Sequence, residues 1–107
     1  MKMSTTDTLP GSKITSVIGI VSGSIVQSKH IGRDFMAGLK TLIGGEIAGY
    51  TEMINEARDQ AIKRMKDDAK RKGADAIVSV RFTTSAVAPS VSEILVYGTG
   101  VHLTKLD

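Results

Sequence analysis

The chain has 107 residues, with no cysteine, no tryptophan, two Phe and two Tyr, and its 14 Lys plus Arg against 11 Asp plus Glu give a formal charge of +3. That length suits one domain spanning residues 1–107, and the lack of cysteine excludes disulfides and thiolate metal sites. Basic residues are interleaved with acids and aromatics are scarce, so the charge reads as solubility and not as a nucleic-acid-binding face.

With so few aromatics the core must be built from Ile, Val, Leu, Ala and Met, which bury less area per residue than aromatic rings do. A small domain with such a core gains by burying surface against copies of itself, so self-association is expected. Met1 to Asp7 holds no apolar segment, so no secretory leader is expected there, and the cytoplasm is the simplest location. The longest apolar run, Ile14 to Val26, is broken by Ser16, Gly19, Ser22, Gly23 and Ser24, so no membrane span is expected.

In chain order, Met3 to Thr6 is β-prone and ends at the turn Leu9-Pro10-Gly11. A longer strand is predicted from about Ile14 to Gln27. Simple alternation puts Ile14, Ser16, Ile18 and Ile20 on one face and Val17, Val21 and Ile25 on the other, as for a strand covered on both sides. Gly19 and Gly23 point to a bulge or to another backbone approaching closely. A short helix is predicted over about Asp34 to Ile43, with Phe35, Met36, Leu39, Leu42 and Ile43 at helical spacing and Gly44-Gly45 as its stop.

A long amphipathic helix follows, about Tyr50 to Lys72. At 100° per residue Tyr50, Met53, Ile54, Ala57, Ala61 and Met65 form one stripe with Ala69 at its edge, and the opposite face carries Glu52, Asn55, Glu56, Asp59, Lys63, Lys66, Asp67 and Lys70. Asp59–Lys63, Asp67–Arg71 and Asp68–Lys72 are acid-before-base pairs, and Lys70-Arg71-Lys72 suits the negative end of the helix dipole. Gly73 is a natural left-handed stop. Ala74 to Thr84 alternates as a strand, with Ala76, Val78, Val80 and Phe82 sharing a face, and Thr84 to Ser92 reads as a polar turn. Glu93 to Leu106 is the last strand, with Leu95, Tyr97, Val101 and Leu103 on one face and a bulge or close packing at Gly98-Thr99-Gly100. The order β-β-α-α-β-β, closed by an antiparallel hairpin, is an α+β domain.

Ser4-Thr5-Thr6, Gly19-Ile20-Val21-Ser22-Gly23, Arg33-Asp34-Phe35, Gly44-Gly45-Glu46, Gly49-Tyr50-Thr51-Glu52-Met53, Glu56-Ala57-Arg58, Gly73-Ala74-Asp75-Ala76-Ile77-Val78 and Tyr97-Gly98-Thr99-Gly100-Val101 occur in this order along nearly the whole chain. In these segments the chain resembles the YbjQ-like family of small bacterial and archaeal proteins, which is labelled heavy-metal-binding. The resemblance implies an α+β fold whose subunits assemble into a ring, a homopentamer, with short extra strands at the subunit contacts. It implies little about activity.

The residues themselves give that label little support. A soft metal prefers thiolates, and the methionines at core spacing, Met36, Met53 and Met65, read better as packing. His30 and His102 are the only histidines, far apart and in no metal-binding spacing; they are weak candidates that would need partners such as Asp34 or Glu46 across a subunit contact. Gly44-Gly45-Glu46-Ile47-Ala48-Gly49 follows a helix where a phosphate loop follows a strand, and no Lys-Ser/Thr pair comes after it, so it reads as a turn. Arg33, Asp34, Glu46, Tyr50 and Arg58 form the candidate ligand or interface set: Arg58, at the edge of the apolar stripe, is expected to be partly buried and to need a carboxylate such as Asp34 or Glu46. No catalytic triad or paired acid and base is legible, and no cofactor is required. Two readings follow: a non-enzymatic oligomeric ring that serves as a binding or assembly module, or a metal-ion or small-anion binder whose site lies between subunits.

Overall fold

The structure is a computed structural model that describes residues 1–28, 47–89 and 91–106. The short helix predicted at Asp34 to Ile43 lies outside the described residues, as do His30, Arg33, Asp34 and Glu46. Four strands and one helix are described: β1 (Lys2–Met3), β2 (Ser12–Ser28), α1 (Ile47–Arg71), β3 (Ala76–Ala88) and β4 (Val91–Lys105). They form a mixed sheet in the order β1-β3-β4-β2, with β1 parallel to β3 and the other neighbours antiparallel. This is the α+β class that the sequence implies.

The long helix ends within one residue of its expected C-terminus because Gly73 adopts φ +84°, which a side chain would resist. Ala74 N–H then donates to Ala69 O at 2.9 Å and Gly73 N–H to Lys70 O at 3.0 Å, the paired bonds of a Schellman stop. The apolar stripe also stands: Ala57, Ala61, Met65 and Ala69 are buried against Val21, Ile77, Val80, Ile94 and Val96. Small residues let α1 lie very close to β2. A Cβ added to Gly23 would sit 2.9 Å from the Arg64 carbonyl carbon and nearer still to Ala61 O and Met65 N. Gly23 therefore serves a close approach of the helix backbone.

Among the described residues simple alternation fails at four places, the last between Ala86 and Ala88 near the β3–β4 turn. In β2 the register shifts between Ile14 and Ser16 and again between Val17 and Gly19. Each shift moves the following side chains to the other face. Ile18 thus joins Val21 and Ile25 under the helix, while Ile14 packs with Leu9 and Leu103 on the opposite side. The expected two-sided cover of β2 is not found: Val17 is 66% exposed and Ile20 74% exposed. In β3 the first shift lies between Val78 and Arg81, where Ser79 has φ 54°. Ala76 and Val78 consequently face Leu9 and Val101, whereas Val80 turns to the helix side with Ile77.

The segment after β1 holds this bulge. Ser79 N–H donates to Thr6 O at 2.9 Å, Val80 N–H donates to Ser4 O at 3.0 Å, and the Arg81 guanidinium reaches Thr5 O at 2.8 Å. Ser4 to Thr6, expected to continue the first strand, instead makes side-chain turns, with Thr6 N–H bonded to Ser4 Oγ. The irregularity expected at Gly98-Thr99-Gly100 sits across the ladder in β3, and Gly98 is needed because Ile77 Cγ2 and Val78 O crowd it. In β4, Ile94 and Val96 face the helix, while Val101 and Leu103 pack on the opposite side with Leu9. The predicted turn at Thr84 to Ser92 is mostly strand, since pairing continues to Ala88↔Val91. Thr83, Thr84 and Val87 are at home in a solvated ladder, which their polarity alone did not reveal.

Candidate functional site

β2 is an edge strand, and an edge leaves every second residue's backbone groups unpaired. One face of α1 supplies partners for them at four-residue spacing. The Arg64 guanidinium donates to Ser24 O at 2.7 Å, the Asp68 carboxylate accepts from Ser22 N–H at 3.0 Å, and Lys72 Nζ donates to Ile20 O at 3.0 Å. Three helix residues at i, i+4 and i+8 thereby match three edge groups two residues apart, O, N and O. The helix rises about 6 Å over four residues and a strand about 6.6 Å over two, so the two spacings coincide.

Asp68 is the hub. It is the buried charged residue of the described chain, 9% exposed, and it also accepts from Arg71 and from Lys72 Nζ at 3.2 Å. Burial alone would raise its carboxyl pKa. The Ser22 N–H, then Lys72 and Arg71, outweigh that and hold it below the ordinary carboxylate value. Of the expected helix pairs, Asp68–Lys72 is present, whereas Asp67 faces Lys63 at 4.0 Å and Arg71 turns to Asp68. Beside the ladder lies an open groove of about 520 Å³, with Ser22, Gly23 and Ser24 on the strand side and Arg64, Asp67, Asp68, Arg71 and Lys72 on the helix side.

A second polar pair lies at the start of β3. Asp75 accepts from Leu103 N–H at 2.9 Å and sits 3.5 Å from His102 Nδ1. The Leu103 N–H, against a small desolvation cost and with His102 adding to it, lowers the Asp75 carboxyl pKa.

Of the residues singled out in the sequence, Tyr50, Arg58 and His102 are described. Tyr50 lies in the first turn of α1 and Arg58 two turns further on. Arg58 is exposed, contrary to its expected partial burial, and pairs with no described carboxylate. His102 is half-exposed with one carboxylate beside it. Among the described residues no three His, Asp or Glu converge to hold a metal ion. One imidazole and one carboxylate, with Met65 sealed in the core, do not fit a soft-metal centre. Sequence reasoning missed the Arg64–Asp68–Lys72 ladder as a unit. Its signal was there: an Asp on the side of the apolar stripe, flanked four residues away on each side by a cation.

Residues 1–104 match the YbjQ family, whose description reads "putative heavy-metal-binding". The chain belongs to this family. It is 61% identical over 105 residues to a UPF0145 protein of Vibrio parahaemolyticus, covering 98% of this chain and all of the relative. It is 59% identical over 107 residues to one from Thermosipho melanesiensis, covering 100% of this chain and 99% of that one. A crystal structure of a DUF74-family protein of unknown function from Pediococcus pentosaceus matches with a TM-score of 0.59 at 18% identity, over 97% of this chain and 98% of that one. That likeness supports the fold of a YbjQ family member. The family's metal label has no matching donor set among the described residues.

Proposed function

We propose that this chain is a non-enzymatic assembly module of the cytoplasm. Copies of it pack through the sheet face that α1 leaves uncovered and close into a homo-oligomeric ring, of five subunits as the family resemblance implies. The observation that carries this reading is the apolar character of that face. Val17 is 66% exposed and Ile20 74% exposed, and Tyr97 and Leu95 stand on the same side of the neighbouring strand. Exposed apolar side chains collected on one sheet face of a small domain, even set among Ser22, Ser24 and Thr99, support an interaction site there. The core behind it is thin, split into two clusters on opposite sides of the sheet. Burial between subunits supplies what such a core lacks. No helix among the described residues is long and apolar enough to cross a membrane. Light scattering of the native protein at micromolar concentration tests the reading: a multimer of one defined mass is expected, and a monomer at every concentration overturns it.

A further inference from the structure

We infer that the groove between β2 and the C-terminal half of α1 is a binding site for the phosphate group of a small molecule. Three cations meet there, and each is already held in place. Arg64 is tied to Ser24 O, Lys72 to Ile20 O, and Arg71 to the buried Asp68. Side chains fixed in this way lose little further freedom when a ligand arrives. A guanidinium has five donors. The bonds recorded for Arg64 and Arg71 leave most of theirs for an oxyanion, and Lys72 adds a point charge.

The carboxylates of the groove do not cancel this charge. Asp68 is consumed by the Ser22 N–H, Lys72 and Arg71, and Asp67 faces Lys63 at the rim. Arg64 has no carboxylate partner among the described residues and is the cation free to answer an anion. On the strand side, Ser22, Gly23 and Ser24 line the groove, and the Ser22 N–H and Ser24 O are already taken by Asp68 and Arg64. The volume of about 520 Å³ exceeds what a phosphate alone fills and leaves room for the small organic body that carries it.

The cations reach the β2 edge from the helix side, whereas Val17, Ile20 and Tyr97 stand on the other face; calorimetry reads the first idea and light scattering the second, so their failures are distinguishable. Calorimetric titration of the native protein with inorganic phosphate, and separately with glycerol 3-phosphate, tests it, each against sodium chloride at equal ionic strength. Saturable binding of one phosphate per chain is expected. Its affinity should fall roughly tenfold in Arg64→Gln, the loss of one charge-assisted contact, and by a smaller factor in Arg71→Gln, whose guanidinium is shared with Asp68. Both variants alter exposed or half-exposed side chains, and circular dichroism checks that they are folded. Equal affinity for both probes identifies free phosphate as the ligand; tighter binding of glycerol 3-phosphate identifies a phosphorylated small molecule. Heats no different from chloride, or an affinity unchanged in both variants, would overturn the proposal.

Discussion

The two faces of the sheet both carry apolar residues and are treated in opposite ways. On one, Val21, Ile77 and Val96 are fully buried beneath Ala61 and Met65 of the helix. On the other, Leu9 covers only the end bearing Ala76, Val78 and Val101, and Val17, Ile20 and Tyr97 stay in solvent. The comparison teaches that the helix seals the centre of one face, leaving Phe82 beyond it 46% exposed, while the centre of the other face has no cover among the described residues. Substitutions on the covered face should act on folding. Those on the bare face should act on association.

The largest effect is expected on the covered face, at Gly23→Ala. The new Cβ would overlap backbone atoms of α1, which cannot rotate away as a side chain can. A loss of about 3 kcal/mol or more in unfolding free energy is expected from urea titration, at the severe end of overpacking. Next comes Asp68→Ala, which leaves Ser22 N–H without its acceptor and Arg71 and Lys72 without their anion. About 2 kcal/mol is expected at neutral pH, read the same way.

The same carboxylate sets a pH dependence. Its folded pKa is depressed, so its contribution is fully present above the unfolded value near 3.8 and fades as pH falls through the lower folded value. Comparing Asp68→Asn with the native protein should show a stability gap that is constant from neutral pH down to about 3.8 and narrows as the pH falls from there through the lower folded value. A gap that widened on acidification would show that the carboxylate is not held by these donors. On the bare face, Ile20→Lys should change the stability of the isolated subunit by less than about 0.5 kcal/mol. Its mark is different: the melting temperature of the native protein should rise with protein concentration, and that of the variant should not.

Much of this was legible in the residues. The helix declared itself through its 3.6-residue stripe, its terminal cations and Gly73, because all of these act within a few residues of one another. Gly23 was legible as a point of close approach, though the helix backbone as the approaching group was not. In β2 only the stretch between its two bulges was misread, with Val17 and Ile18 exchanging faces, and in β3 the faces were misread beyond Val78, since a one-residue bulge reverses alternation. The bulge at Ser79 is held by carbonyls of Thr6 and Ser4 more than seventy residues away in the chain. The candidate site was less legible still. The ladder depends on strand and helix repeats coming into step across β2, so Arg64, Asp68 and Lys72 looked like surface charges. Arg58 was given a partly buried role because a helical wheel shows the edge of a stripe and not what packs against it.

The central claim is that the bare face holds subunits together, and the molar mass of the double variant Val17→Asp/Ile20→Lys tests it most directly. Measured by light scattering beside the native protein at the same micromolar concentration, the native chain should be a multimer and the variant a folded monomer with unchanged helical circular dichroism. A native monomer, or a variant that keeps the native mass, would contradict the account.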